Sequence, residues 1–210
     1  MPLEHVLHLK TGVNYLEDGN MLVSGEFVTK PDFEQYHRIE IPEDEAYAAA
    51  CGRRIKLLGR AIAQADGKVC AYVEPHFVGQ QDPLAGVEDV FNAILVKGDA
   101  TGDVMFYGRG AGKLPTASAV VADVIAAARQ LERASYRPWS PNRPEAVVSP
   151  DTLATQWYVR LAQGTLEGER LTIPGAAEGE SGWLTPAMTR PELEQQLAGK
   201  AVLAVIRVLD

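Results

Sequence analysis

Three turn signals, each set between short alternating apolar runs, constrain this chain more than any other feature. Such a pattern leaves antiparallel pairing of neighbouring strands as the default. The first is Leu16-Glu17-Asp18-Gly19-Asn20, between residues 6–10 and 21–23, with Gly19 free to take the positive φ that a tight turn needs. The second is Asp66-Gly67, between residues 55–62 and 69–74. The third is Gly98-Asp99-Ala100-Thr101-Gly102-Asp103, between residues 92–96 and 104–107. The last two hairpins supply four strands, whose simplest assembly is one antiparallel sheet. Residues 38–41 read as a further short strand. Pro42 then opens a helix, with Glu43, Asp44 and Glu45 at its positive end.

After the third hairpin comes Gly108-Arg109-Gly110-Ala111-Gly112-Lys113-Leu114-Pro115-Thr116, then the longest helical pattern, with Val120, Val121, Val124, Ile125 and Ala128 at helical spacing. Glycines between a strand and a helix let backbone approach a ligand, and the helix N–H groups favour an anion. Neither common phosphate motif fits. A P-loop would need glycine at Tyr107 and a hydroxyl at Leu114, and the dinucleotide pattern meets Lys113 where its third glycine belongs. On the pattern alone, a tight strand-to-helix connection without a ligand is the favoured reading and a cofactor loop the alternative. Pro138, Pro141, Pro144 and Pro150 mark residues 136–150 as a linker. Beyond it, residues 157–161 form a strand, 190–198 a short helix and 201–209 a closing strand.

Composition excludes several classes. Hydrophobic residues make up 46% and charged residues 23%, which suits a packed core. The net charge of −8 gives little counterion release, so no nucleic-acid partner is expected. No apolar run is long enough for a membrane helix, and no basic-then-apolar leader is visible, so a cytoplasmic protein is expected. Cys51 and Cys70 make neither a disulfide framework nor a zinc site. His5, His37 and His76 show no ligand spacing, and no metal site is expected.

The blocks Arg54-Ile55-Lys56-Leu57-Leu58-Gly59, Asp82-Pro83-Leu84-Ala85, Phe91-Asn92-Ala93-Ile94, Met105-Phe106-Tyr107-Gly108, Gly110-Ala111-Gly112 and Pro115-Thr116-Ala117-Ser118-Ala119-Val120 run in one order. Residues 54–129 thereby resemble homoserine dehydrogenases, over the end of their catalytic domain and the return into their nucleotide-binding domain. The resemblance implies NADP or NAD as cofactor, with Gly108, Gly110, Ala111, Gly112 and Thr116 against it. It also implies that Trp157-Tyr158-Val159-Arg160-Leu161 and Ala204-Val205-Ile206-Arg207-Val208-Leu209 belong to an ACT-like tail shortened between its first and last strands. The family's Rossmann half and catalytic lysine have no match here, and Lys56 does not correspond to that lysine. The expectation is therefore an incomplete catalyst that needs a separate Rossmann-bearing chain, since hydride transfer requires dinucleotide and substrate to be held together.

Residues 4–51 resemble another family. Leu7-His8-Leu9-Lys10-Thr11-Gly12, Leu22-Val23-Ser24-Gly25-Glu26-Phe27 and Pro42-Glu43-Asp44-Glu45-Ala46-Tyr47-Ala48-Ala49 are similar to dimethylarginine dimethylaminohydrolases of the pentein superfamily. That resemblance makes His8 the catalytic general acid/base. Its cysteine nucleophile has no counterpart, because Cys70 lies in a dehydrogenase-like strand, and Ala50 replaces an asparagine. The chain reads as composite, joined near residues 48–52.

The expected fold is α+β: a mostly antiparallel sheet, one long helix and a small C-terminal ACT-like α/β module. The expected divisions are 1–51, 52–135, the linker 136–150 and 151–210. A homo-oligomer is expected. The alternatives are a dimethylargininase-like hydrolase fragment and a non-catalytic oligomerising or effector-binding module.

Overall fold

A computed structural model describes residues 21–23, 26–28, 41–110, 112–131 and 144–209. The sequence readings that rest on residues 6–20, 29–40 and 132–143 lie outside the described residues. The chain folds as two units, Met1–Ala85 with Pro144–Asp210, and Gly86–Arg143.

In the first unit, β1 (Met21–Val23) pairs antiparallel with β2 (Glu26–Val28). The partner of residues 21–23 is thus the run that follows them; residues 6–10, expected to pair there, are not among the described ones. Helix α1 (Ile41–Ala50) begins where residues 38–41 were read as a strand, with Pro42 second and Glu43 and Asp44 in its first turn. It closes through Gly52 N–H to Ala49 O at 3.0 Å.

Strands β3 (Arg53–Ala63) and β4 (Val69–Gly79) pair antiparallel from Arg53↔Gly79 to Ala63↔Val69, around the expected Asp66-Gly67 turn. Lys68 N–H closes that turn on Asp66 Oδ1 at 3.1 Å. The other edge of β4 is taken by two parallel partners. These are β7 (Val147–Val148) at Val69 and Cys70, and β11 (Val202–Val208) at His76 and Phe77. Between β7 and β11 in sequence lie β8 (Trp157–Leu161), β9 (Glu169–Leu171), β10 (Ser181–Leu184) and α3 (Arg190–Leu197). The sheet runs β3-β4-β11-β8-β10-β9, with β7 beside β4.

Strand β8 is buried along its whole length because both faces of the sheet are covered. On one face Trp157, Val159 and Leu161 pack with Trp183, Met188 and Leu193, the last from α3. On the other, Tyr158 packs with Phe77, Leu184, Ile206 and Val208 against Tyr47 and Ala48 of α1. A Cβ on Gly182 would lie 2.7 Å from Tyr47 Cδ1, so glycine there lets α1 seat on the sheet. Trp157 and Trp183 are both buried in the tail.

In the second unit, β5 (Phe91–Gly98) and β6 (Gly102–Arg109) form a two-stranded sheet from Phe91↔Arg109 to Gly98↔Gly102. Helix α2 (Lys113–Gln130) follows β6. The third hairpin forms as expected, but the four strands do not make one sheet. The edge of β4 that would receive β5 is already hydrogen-bonded to β7 and β11. The same pairings correct the expected divisions. Residues 53–79 share a sheet with the tail, and residues 144–152 are built into that unit as 3-10 turns around β7. Three α-helices are present among the described residues, the longest being α2 at 18 residues.

Candidate functional site

The strand–turn–helix from Gly108 to Thr116 belongs to the second unit. Gly108 lies opposite Asn92 in the β5–β6 ladder, and Gly110 N–H continues it to Val90 O at 3.0 Å. A Cβ on Gly110 would lie 1.7 Å from Asn92 Nδ2, so the Asn92 amide occupies the space a side chain would need. Gly112 is the N-cap of α2, at φ 115° and ψ 153°. That conformation is essentially glycine-only and stands immediately before the first helical residue, Lys113.

No side chain caps α2, which leaves the first-turn N–H groups of Lys113 and Leu114 for an external acceptor. Arg109 and Lys113 flank the turn, and the Arg109 guanidinium lies 5.0 Å from the Phe91 ring centroid. Positive helix end, two cations and uncapped N–H groups together suit an anionic group. Thr116 is the fourth residue of the helix, and its N–H reaches Gly112 O at 3.1 Å. Its hydroxyl, one turn into the helix, is past the orphan donors and does not cap them. The turn brings Gly108, Gly110, Gly112 and Thr116 onto one segment; Ala111 and His8 lie outside the described residues. Asn92 is the residue that sequence reasoning missed. Only strand register sets it against Gly110.

Two buried polar clusters lie in the first unit. Asp44 of α1, 1% exposed, accepts from Tyr158 Oη at 2.9 Å and faces Arg160, whose Nε is 2.9 Å from Oδ1 and whose Nη2 is 3.4 Å from Oδ2. Burial raises the Asp44 carboxyl above its usual range, against the lowering effect of Tyr158 and Arg160. Asp44 was read only as part of a helix start; tertiary packing makes it an anchor for α1. In the second cluster the Arg207 guanidinium lies between the rings of Trp157 and Tyr72, 4.3 and 5.1 Å from their centroids. Arg207 Nε donates to Glu74 at 2.7 Å, and Arg190 reaches Glu74 and Asp151. His76, fully buried, places Nδ1 2.8 Å from Glu74 O, which makes Nδ1 the donor. It is the satisfied core histidine that its isolation suggests. Both clusters tie residues distant in sequence to the sheet, with Arg207 Nη1 left buried without a hydrogen-bond partner among the described residues.

Among the described residues no group of three metal-ligating side chains converges. None of their helices is long and apolar enough to cross a membrane.

The family model for homoserine dehydrogenase matches residues 22–125. Over that span the chain is homoserine dehydrogenase-like. The homoserine dehydrogenase of Neisseria gonorrhoeae is 32% identical over 191 residues, covering 80% of this chain and 43% of that protein. The crystal structure of a homoserine dehydrogenase from Thiobacillus denitrificans superposes with a TM-score of 0.60 at 28% identity, covering 80% of this chain and 45% of its own. The chain thus spans less than half the length of these relatives. A third relative differs in kind. The dimethylarginine dimethylaminohydrolase of Pseudomonas aeruginosa is 63% identical over 49 residues, 23% of this chain and 19% of that protein. The dehydrogenase match begins at Leu22, upstream of Arg54, so it overlaps the segment 4–51 that reads as dimethylargininase-like.

Proposed function

We propose that this chain serves the NAD(P)-dependent interconversion of homoserine and aspartate semialdehyde in amino-acid biosynthesis, and that it turns over only with a Rossmann-bearing partner chain. The observation that carries the reading is the glycine turn inside the matched span, with Gly112 at φ 115° and an uncapped α2 behind it. Gly108, Gly110, Ala111, Gly112 and Thr116 would lie along the dinucleotide, with Arg109 and Lys113 facing its phosphates. The dinucleotide supplies the hydride acceptor or donor. The contribution of this chain is to present backbone N–H groups to an anion without a side chain in the way. A cytoplasmic homo-oligomer belongs to the same reading.

The tail fits the family's ACT-like regulatory module in its strand order. β11-β8-β10-β9 is antiparallel throughout, and α3 links β10 to β11. Residues 162–168 stand where such a module would carry its first helix.

The test is NADPH formation from homoserine and NADP. The chain alone should give none. The chain mixed with the nucleotide-binding half of a homoserine dehydrogenase should give turnover that Gly112→Val abolishes. Turnover by the chain alone would refute the need for a partner, and none in the mixture would refute the function.

A second reading, a dimethylargininase-like hydrolase fragment with His8 as acid/base, is favoured by the 63% identity over 49 residues. Citrulline release from dimethylarginine, lost in His8→Ala, would establish it.

A further inference from the structure

The sheet of the first unit is held together unevenly. Strand β4 pairs with β3 from Val69 to Gly79, whereas its ladder with β11 spans only His76 and Phe77. Leu209 N–H continues that ladder to Phe77 O at 2.9 Å, and a second short ladder joins β7 to Val69 and Cys70. Through these seams the β3–β4 hairpin, which lies inside the dehydrogenase-matched span, is paired to the tail, which lies outside it.

His76 stands fully buried at the β11 seam, among cations. Its register partner on β3 is Lys56 and on β11 is Arg207, and register partners share a face of the sheet. Arg60 of β3 donates to Tyr72 Oη, which lies 3.5 Å from His76 Nε2. The carboxylates of this cluster are already engaged, Glu74 by Arg207 and Arg190 and Asp151 by Arg190. Arg207 Nη1 is itself buried without a hydrogen-bond partner among the described residues. A proton on His76 therefore adds one more buried positive charge to a seam whose carboxylates are taken, and such a charge is costly. The tail has what it needs to stay folded without the hairpin. Trp157, Val159, Leu161, Trp183, Met188 and Leu193 form a core drawn from the tail alone, and Asp44 ties α1 to Tyr158 and Arg160 of β8. Opening the seam hydrates His76 at the expense of the short ladders only. Full unfolding gains the same proton and breaks the tail core as well, so the local opening comes first.

We infer that the β4–β11 seam is an acid-released joint, at which protonation of His76 detaches the β3–β4 hairpin from a tail sheet that stays folded. The joint does not depend on the dehydrogenase function; it governs how the matched span is held to the tail.

The test is hydrogen exchange of the full chain, followed by mass spectrometry at pH 7 and pH 5 and corrected for the pH dependence of intrinsic exchange. A hairpin cut off from its sheet is marginal, so its amides exchange at each opening. Protection of residues 69–79 should fall about twentyfold between the two pH values. That is the ratio given by a His76 pKa of 6.5 when the seam is open and about 4 when it is closed. Protection of residues 157–161 and 181–184 should hold within about twofold, because the tail core is not broken. In His76→Gln, which takes up no proton, protection of residues 69–79 should be the same at both pH values. Equal losses in β4, β8 and β10 would mean that acid unfolds the whole unit and would overturn the inference, and this comparison needs the wild type alone. So would unchanged protection of β4 at pH 5, or a pH dependence that persists in folded His76→Gln.

Discussion

At the scale of single residues, the two buried polar clusters carry the sharpest consequences. His76 has its pKa lowered from 6.5 to about 4, by burial first and then by the cations of Arg60 and Arg207, against a hydrogen bond to Glu74 O that favours the charged form. Arg60 donates to Tyr72 Oη at 3.1 Å, and Tyr72 Oη lies 3.5 Å from His76 Nε2, so a proton on Nε2 meets a donor already in place. The unfolded chain takes up this proton near pH 6.5 and the folded chain only near pH 4. Stability is therefore full above pH 6.5 and falls as pH drops through that interval, by on the order of 3 kcal/mol. Thermal unfolding between pH 7.5 and 4.5 should show this fall in the wild type and a clearly flatter profile in His76→Gln. Parallel profiles would exclude His76 as the cause. Asp44 gives a second case. Asp44→Ala leaves buried Arg160 with only Glu180, 3.4 Å from its Nη1, and removes the acceptor of Tyr158, so it should cost about 3 kcal/mol in denaturant unfolding. Asp44→Asn should cost less than Asp44→Ala, because its side-chain oxygen can still accept from Tyr158 Oη while Glu180 still pairs with Arg160.

At the scale of elements, the glycine turn is held by two different constraints. Gly112 needs a backbone conformation closed to other residues, and Gly112→Val should destabilise by about 1–3 kcal/mol through strain alone. Gly110 is constrained by space. Its missing Cβ is where the Asn92 amide sits, so Gly110→Ala should push the Asn92 side chain into another rotamer at a small cost, which pairing it with Asn92→Gly should remove. A thermal-unfolding cycle over Gly110 and Asn92 reads this coupling directly, and strictly additive effects would show that the two do not meet. The turn's glycines were legible in the sequence because strand, glycines and helix follow one another. The Asn92 contact was not, because it depends on pairing Phe91–Gly98 with Gly102–Arg109 in one register among several.

At the scale of the molecule, the first unit is discontinuous in sequence, and this sets how it responds to truncation. Strand β4 holds its hairpin partner on one side and β7 and β11 on the other. Removing residues 144–210 strips that second side, exposes Phe77 and Val78, and takes away the sheet on which Tyr47 and Ala48 of α1 pack. A lone two-stranded hairpin is marginal in water. The truncated chain should therefore lose the near-ultraviolet dichroism of its packed aromatics and be cleaved rapidly by protease. A cooperative melt near that of the full chain would show that residues 53–79 are stable without the tail.

What the sequence determined by itself was local. The turns at Asp66-Gly67 and Gly98–Asp103, the helix from Lys113 and the strands at 157–161 and 202–208 follow from turn chemistry and periodicity within a few residues of each other, whereas β7, β9 and β10 carry no such signal. The blocks from Arg54 to Val120 likewise pointed to a homoserine dehydrogenase-like chain. Which strand edges meet was decided only in three dimensions. Periodicity says which face of a strand is apolar and nothing about which neighbour takes its hydrogen bonds. The four central strands were therefore expected in one sheet, whereas β4 pairs with residues more than 60 positions away and leaves β5 and β6 to themselves. Asp44 shows the same limit at one side chain. In sequence it is an acid at a helix start, and only the arrival of Tyr158 and Arg160 from a distant strand makes it a buried anchor.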